Sequence, residues 1–391
     1  MTISFPDGFV WGTATAAHQV EGGNWNNDWW AWEHDPASPC AEPSGDACDH
    51  LWRYPSDIAL IAELGFGSYR FSLEWSRIEP EEGEISRAAL DHYRRMLATC
   101  HEHGLLPALT YHHFTSPRWV AADGGWENPA TAERFARFCE RAAAHLGDLV
   151  GLSCTINEPN MVSFMGYLFA AFPPGRSDAG AYQRANEVML RGHRLAYEAV
   201  KAGPGDAPAG MTVALGDFQA AEGGEELMAT ARRDLEDVFL EEARGDDFVG
   251  AQMYTRFRIG PHGMLGPEEG VKTTLMGYEY WPRALEATVR RTAEMAPGVP
   301  IHVTENGIAT NDDAERVEYV TEALTGLGRC LDDGIDVRSY YYWSAMDNFE
   351  WTFGYGPTFG LIGIDRETLE RRPRPSARWL GGVARANRLD R

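Results

Sequence analysis

The sequence has no apolar run long enough to span a membrane, and its first residues lack the basic and then apolar segments of a secretory signal peptide. It contains 6 cysteines, but none of them forms a C-x-x-C pair. Scattered cysteines of this kind favour reduced residues of a core over a disulfide framework or a metal site. We therefore predict a cytoplasmic protein without a membrane anchor.

Positive charge is scarce: 35 Lys and Arg residues stand against 58 Asp and Glu residues, which gives a net charge of −23. A surface of this sign repels polyanions, so neither a nucleic acid nor an anionic membrane is an expected partner. The metalloprotease spacing H-E-x-x-H is also missing, because neither His101-Glu102-His103 nor His112-His113 has it. The sequence predicts no metal and no cofactor, and it favours a neutral small molecule as substrate. It does not indicate an oligomeric state.

What the sequence does have is a repeating unit of helix, glycine and strand. Ser86 is placed to cap a helix, and Gly104 is placed to end it before a buried strand. The apolar positions of this helix fall on one face: Leu90, Tyr93, Leu97 and Cys100. The same order recurs at residues 135–156 and again at residues 317–343.

Eight runs of the chain are typical of strands: Phe9–Thr13, Ser68–Ser72, Leu106–Tyr111, Gly151–Thr155, Thr212–Gly216, Phe248–Tyr254, Ile301–Thr304 and Val337–Trp343. Eight strands that alternate with amphipathic helices predict an α/β fold, a single (β/α)₈ TIM barrel. No linker interrupts the pattern, so we predict one catalytic domain over residues 1–391. A doubly wound sheet is the second possibility, but Gly65-Phe66-Gly67 does not stand between a strand and a helix as a nucleotide-binding turn does. Residues 260–270 are predicted to form a surface loop.

Functional side chains of such a barrel lie at the carboxyl ends of the strands. Glu158 and Glu305 follow the fourth and seventh predicted strands, which lie nearly opposite each other in a ring of eight. A facing pair of carboxyl groups is what cleavage of a glycosidic bond needs. Any one polar residue at a strand end is as well explained by a structural role, but the whole set predicts a pocket. That set comprises Arg70, His112-His113, Asn157-Glu158, Gln252, Tyr254, Glu305-Asn306, Trp343 and Glu350-Trp351.

The motifs around the two glutamates resemble glycoside hydrolase family 1. Residues 155–159 are similar to its TxNEP segment, and residues 303–307 contain its TENG segment. The resemblance runs almost end to end, through residues 9–15, 19–22, 69–77 and 343–351. An ordered set of this length is very specific for the family.

This resemblance implies a retaining β-glycoside hydrolase with Glu158 as general acid/base and Glu305 as nucleophile. The permanent charge of Arg70 would keep Glu305 ionised, and the charge of Glu305 would raise the proton affinity of Glu158. Further roles are implied for residues that surround the sugar: Gln19, His113, Asn157 and Glu350 as partners of its hydroxyl groups, Trp343 as a stacking platform, Trp351 as a further contact, and Tyr254 beside Glu305 and the substrate.

Three positions depart from the family pattern. Phe114 stands where the family usually has Trp after His113, Asn160 stands where it often has Trp after the NEP segment, and Gln252-Met253 precedes Tyr254 in place of Asn-Tyr. We expect these changes to alter the pocket walls. Glu350 favours an unphosphorylated sugar, because a carboxylate near O6 would repel a phosphate.

The predicted substrates are small β-glycosides or short oligosaccharides, and the predicted activity is that of a β-glucosidase of broad tolerance in carbohydrate metabolism. The sequence leaves the preferred sugar open among glucose, galactose and fucose. Two other functions stay open as well. A transglycosylase would share every residue of the site, whereas a non-catalytic sugar-binding relative would be expected to lack at least one of the two carboxylates.

Overall fold

Eight parallel strands form a closed ring in the computed structural model, which describes residues 2–390. The strands of the described residues are β1 (Thr2–Ser4), β2 (Val10–Ala14), β3 (Ser68–Ser72), β4 (Leu106–His113), β5 (Leu152–Asn157), β6 (Ala209–Ala220), β7 (Val249–Gly260), β8 (Gly263–Leu265), β9 (Ile301–Asn306), β10 (Val337–Trp343), β11 (Ile362–Ile364), β12 (Arg371–Pro373) and β13 (Arg388–Asp390). The helices are α1 (Ala17–Val20), α2 (Asp28–Glu33), α3 (His50–Leu64), α4 (Trp75–Ile78), α5 (Arg87–Glu102), α6 (Arg118–Ala122), α7 (Ala130–Leu146), α8 (Pro159–Ser163), α9 (Ala179–Lys201), α10 (Glu225–Arg232), α11 (Val238–Glu242), α12 (Ala284–Met295), α13 (Asp313–Asp332) and α14 (Pro375–Ala386).

The ring has the order β2, β3, β4, β5, β6, β7, β9 and β10, and β10 pairs with β2 to close it. Every pair of neighbours in the ring is parallel. Helices connect successive strands and pack around the outside. The predicted (β/α)₈ barrel and its eight strands are therefore confirmed.

The helix predicted to follow Ser86 is α5, and it has the expected buried face. The Ser86 hydroxyl accepts a hydrogen bond from the Ala89 N–H at 3.2 Å, which satisfies one free donor of the first turn. Gly104 adopts a φ of +72° just beyond the helix, a conformation that glycine takes without steric cost. The four apolar positions that were predicted to share one face of this helix are all buried: Leu90, Tyr93, Leu97 and Cys100.

Two strands extend well beyond their predicted ends. β6 and β7 continue to pair past the barrel, from Asp217 opposite Arg256 to Ala220 opposite Ile259. β7 then turns back into β8, so the prediction that residues 260–270 form only a surface loop is wrong. The extension carries polar residues whose side chains bond across the strands, as Arg256 does to Gln219 at 3.0 Å. Such residues resemble a loop in the sequence because their polarity is satisfied by partners that the sequence does not reveal. The other barrel strands end within a residue or two of the prediction.

Within residues 2–390, none of the helices combines the length and the apolar character that crossing a membrane requires.

The two ends of the described chain are tied together beside the start of β2. β1 pairs antiparallel with β13. Asn387 ends α14 with a φ of +48°, and its side-chain oxygen accepts a hydrogen bond from the Trp11 indole N–H at 2.9 Å. Its amide group donates to the carbonyl groups of Phe5 and Pro6 at 3.0 Å each.

We expect Asn387→Ala to lower the free energy of unfolding by about 3 kcal/mol, because it removes three hydrogen bonds and puts a β-carbon without polar compensation into a left-handed conformation. Urea titration followed by tryptophan fluorescence measures this loss. Asn387→Gly removes the same bonds without the strain and should cost about 1 kcal/mol less. Equal losses for the two variants would contradict the role of backbone strain, and no loss in either would contradict the role of the bonds.

Candidate active site

The side chains that the sequence selected come together at the carboxyl end of the barrel. They arrive from separate strands: Arg70 from β3, His113 from β4, Asn157 and Glu158 from the end of β5, Tyr254 from β7, Glu305 from β9 and Trp343 from β10. Gln19 lies in α1, and Glu350 and Trp351 follow β10. Each strand delivers its side chain at the end where it leaves the ring, as the fold requires.

Glu305 is held by three donors. Its Oε1 atom accepts hydrogen bonds from Arg70 Nη1 at 2.6 Å and from Gln252 Nε2 at 2.9 Å. Its Oε2 atom accepts one from the Tyr254 hydroxyl at 2.6 Å. Burial raises the pKa of Glu305, while the charge of Arg70 and these hydrogen bonds oppose that rise. The three donors therefore favour the ionised carboxylate.

Arg70 is fully buried and connects four strands of the barrel. Besides its ion pair with Glu305, it donates from Nε to the Thr110 hydroxyl at 3.1 Å and from Nη2 to the Asn157 side-chain oxygen. The planar guanidinium group fixes the directions of these bonds, which a lysine could not do. The position of the carboxylate is thereby set by β3, β4 and β5 together.

Glu158 differs from Glu305 in its electrostatic surroundings. It adopts a φ of +46° directly before α8, and its N–H donates to the carbonyl of Thr212 at 2.8 Å. Burial raises the pKa of Glu158 well above its usual value, and the nearby charge of Glu305 raises it further, whereas the charge of Arg70 lowers it. Glu158 therefore holds its proton more strongly than Glu305 does.

Gln19 and Glu350 form a second polar group of the site. The Gln19 amide donates to the Asn348 side-chain oxygen at 2.9 Å and to the Phe349 carbonyl at 2.8 Å, and it lies 3.5 Å from Glu350 Oε2. Burial, followed by the charge of Glu305, raises the pKa of Glu350 to about 8. Glu350 is therefore largely protonated at neutral pH.

Aromatic rings enclose His113. The rings of Trp343 and Trp351 lie nearly parallel to that of His113, at interplanar angles of 20° and 15° and centroid distances of 5.9 and 6.2 Å. Trp351 also packs against Trp29 and Phe114, at 4.5 and 4.9 Å. The two tryptophans are consequently rigid surfaces of the kind that stack on a sugar ring.

Several buried polar atoms of the site have no protein partner within residues 2–390. They are Gln19 Oε1, His113 Nδ1 and Gln252 Oε1. Buried polar atoms are nearly always hydrogen-bonded in folded proteins. Burial, with the charges of Arg70 and His112, also lowers the pKa of His113 well below its usual value, so its ring is neutral. The atoms are suited to a neutral ligand that carries several hydroxyl groups.

The three positions that depart from the family pattern make different contacts in the structure. The side chain of Asn160 bonds to the main chain, so its effect on the pocket wall stays a prediction. Its amide group donates to the carbonyl groups of Ala214 and Leu235 at 2.8 and 2.9 Å, so it joins α8 to β6 and to the turn after α10. Gln252 donates a hydrogen bond directly to the carboxylate of Glu305. Sequence reasoning also missed Thr212, whose hydroxyl donates to Asn157 Oδ1 at 3.1 Å, because no motif surrounds it.

Phe114 does form a wall, but of a neighbouring cavity. This cavity has a volume of about 440 Å³ and is lined by residues that include Asp28, Trp32, Phe114, Val162 and Arg176. None of the carboxyl groups of Glu158, Glu305 and Glu350 lines it. Phe114 thus lies between this cavity and the ring of Trp351.

The barrel and the two unlike carboxyl groups at its mouth define a class of enzyme. A protonated carboxylic acid beside an ionised carboxylate is the arrangement by which glycoside hydrolases protonate a leaving oxygen and stabilise the sugar cation. The chain belongs to glycosyl hydrolase family 1, whose model matches residues 1–241 and 262–389. The membership predicted from the motifs is confirmed.

Similar proteins agree with this membership over nearly the whole chain. The thermostable beta-glucosidase B of Thermobispora bispora is 33% identical, over 99% of this chain and 92% of that protein. The bifunctional beta-D-glucosidase/beta-D-fucosidase of Bifidobacterium breve is 31% identical, over 97% of this chain and 98% of that protein. The crystal structure of beta-glycosidase BGL167 is 52% identical with a TM-score of 0.92, and it covers 98% of this chain and 97% of its own.

The electrostatic coupling of the two glutamates predicts a measurable shift. In Glu305→Gln, the pKa of Glu158 should fall, because the negative charge that stabilises its protonated form is removed. Titration of ¹³C-labelled glutamate side chains by NMR measures it. Glu350→Gln removes a weaker influence and should lower the pKa of Glu158 less. An unchanged pKa in Glu305→Gln would refute the coupling.

Proposed function

We propose that this chain hydrolyses β-glycosides with retention of configuration, using Glu158 as general acid/base and Glu305 as nucleophile. The observation that carries this proposal is the contrast between the two carboxyl groups. Glu305 has three donors that favour its anion, whereas burial and the charge of Glu305 keep Glu158 protonated. We further propose that residues 1–391 form one catalytic domain.

In the first step, Glu305 attacks the anomeric carbon and forms a glycosyl ester. Glu158 gives its proton to the departing glycosidic oxygen, so the aglycone leaves as a neutral alcohol. The hydroxyl of Tyr254 and the guanidinium of Arg70 hold the carboxylate in the attacking orientation. Ester formation then removes the negative charge of Glu305.

The loss of that charge prepares the second step. Glu158 is now ionised, and Glu305, as an ester, no longer carries a negative charge beside it. Glu158 takes a proton from a water molecule, and this water attacks the anomeric carbon. The ester bond breaks, Glu305 regains its charge, and Glu158 regains its proton. Two displacements restore the original configuration. The cycle uses two side chains and water, and it requires neither a metal nor a cofactor.

Sugar binding is assigned to the polar atoms and rings that surround the two glutamates. Gln19, His113 and Glu350 offer partners for hydroxyl groups, and Asn157 is suited to the 2-hydroxyl, where a bond strengthens as the transition state forms. Trp343 provides the stacking surface, with Trp351 and Tyr254 as further contacts. Glu350 is largely protonated, so the repulsion of a phosphate beside it would come from the nearby charge of Glu305 and not from Glu350 itself. On this ground we propose an unphosphorylated sugar.

The substrate class is that of a β-glucosidase of broad tolerance, acting on small β-glycosides or short oligosaccharides. The Thermobispora bispora relative supports glucose as the principal sugar, and the Bifidobacterium breve relative, named for two activities, supports tolerance of fucose. The cytoplasmic location predicted from the sequence stays a prediction.

Removal of the nucleophile is the first test. Glu305→Ala should lose nearly all turnover of 4-nitrophenyl β-glucoside and β-fucoside, since no group remains to form the ester. Azide should restore turnover, and NMR of the product should show an α-glycosyl azide, because one displacement inverts the anomeric centre. Substantial hydrolysis without azide would count against Glu305 as the nucleophile.

Removal of the acid gives a different pattern. Glu158→Ala should retain far more of its first-step rate on 2,4-dinitrophenyl β-glucoside than on methyl β-glucoside, because only the second leaving group needs a proton. Pre-steady-state measurement separates the ester-forming step from its hydrolysis. Equal losses on the two substrates would argue against an acid role for Glu158.

A further inference from the structure

Gln252 occupies a position where this chain departs from its family. It lies in β7, in register with Glu305 of β9 and with Ala214 of β6. The family model matches residues on either side but leaves out residues 242–261, which include Gln252. Its side chain is only 1% exposed. A buried amide in this segment, beside the nucleophile, raises the question of which atoms it bonds to and what those bonds do.

The amide group of Gln252 joins two functional residues. Its Nε2 atom lies 2.9 Å from Glu305 Oε1 and 3.0 Å from Asn157 Oδ1. Both of these atoms are acceptors, and an NH₂ group has two hydrogens to donate. The orientation of the Gln252 amide is therefore fixed, because the opposite orientation would place its oxygen against two acceptors.

Gln252 also helps to fix the orientation of Asn157. The Asn157 Oδ1 atom accepts hydrogen bonds from Gln252, from Arg70 and from Thr212. With its oxygen held by three donors, the amide must present its NH₂ group on the other side, where it lies 3.3 Å from His113 Nε2. Asn157 is thus a donor toward the side of the site on which His113 lies.

We propose that Gln252 is a positioning residue that holds the nucleophile Glu305 and the amide of Asn157 in one fixed arrangement, so that attack and the contact to the sugar 2-hydroxyl occur together. This inference rests on the proposed function. Gln252 acts through Glu305 and Asn157, and its single NH₂ group connects the residue that forms the ester to the residue that contacts the 2-hydroxyl.

The length of the side chain matters to this connection. Asparagine, which the family usually has here, is shorter by one carbon–carbon bond, roughly 1.5 Å. From the same point of the strand, its NH₂ group would lie beyond hydrogen-bonding distance of at least one of the two acceptors. Gln252→Asn is consequently not a conservative change in this chain.

The experiment compares Gln252→Met, which keeps the size of the side chain but removes both donors, with Gln252→Asn. Turnover of 4-nitrophenyl β-glucoside and of its 2-deoxy analogue is measured across the pH range. For each variant, kcat/KM on the glucoside should fall roughly 10- to 100-fold, as expected when a hydrogen bond to a charged group is lost. The ratio of kcat/KM on the glucoside to kcat/KM on the 2-deoxy analogue should fall by roughly 5-fold or more. The reason is that the contact to the 2-hydroxyl is weakened in both variants.

The acidic limb of the pH profile gives an independent readout. The Gln252 hydrogen bond lowers the pKa of Glu305, so its removal raises that pKa. Because Glu305 must be ionised to attack, the acidic limb of kcat/KM should move to higher pH in both variants.

Asn160→Leu is the matched control, since it also replaces a buried amide by an apolar group but breaks bonds only to backbone atoms. It should lower the melting temperature and leave both the substrate preference and the acidic limb unchanged. Equal losses on the two substrates with an unmoved acidic limb would overturn the proposal, as would a Gln252→Asn variant that behaves like the wild type. Absence of glucosidase activity in the wild type would instead refute the proposed function itself.

Discussion

The buried ion pair between Arg70 and Glu305 is the interaction on which the rest of the site depends. Two opposite charges removed from water are costly unless each is fully bonded. Here the guanidinium group meets acceptors from β4, β5 and β9, and the carboxylate meets a second and a third donor, both from β7. No single strand or loop can supply this set, so the site exists only when the ring is closed. The same bonds that join these strands also fix the orientation of the Glu305 carboxylate.

The same positive charge also distributes the protons of the site. Glu158, Glu305 and Glu350 are all buried, and Arg70 forms its ion pair with Glu305. Burial raises the pKa of all three carboxyl groups, and Arg70 opposes that rise at Glu305 with both its charge and a hydrogen bond. One cation among three acids thus gives chemically identical side chains different proton affinities.

The sequence was sufficient for the ring and for the principal residues of the site, because these leave local signals. Strand ends in a barrel point to one face, and the pairing of Arg70 with Glu305 follows from their positions and charges. Gln252 and Asn160 were harder, since each is an amide near the site and only the three-dimensional structure shows which atoms it bonds. Thr212 and the extension of β6 and β7 left no local signal, as their polar groups are satisfied by distant residues. Hydrophobic periodicity predicts which residues are buried against the core. It does not predict which polar atoms bond to one another.

The pairing of β2 with β10 has a consequence for how the molecule comes into being. These neighbours are separated by more than three hundred residues of chain, so β2 is made long before the strand that will lie beside it. During synthesis the growing sheet is open, and β2 presents an unpaired edge to its surroundings. Such distant pairings fold slowly, because the entropy of closing the loop is lost before the contacts form. Residues 337–343 must therefore be made before β2 can lose this open edge.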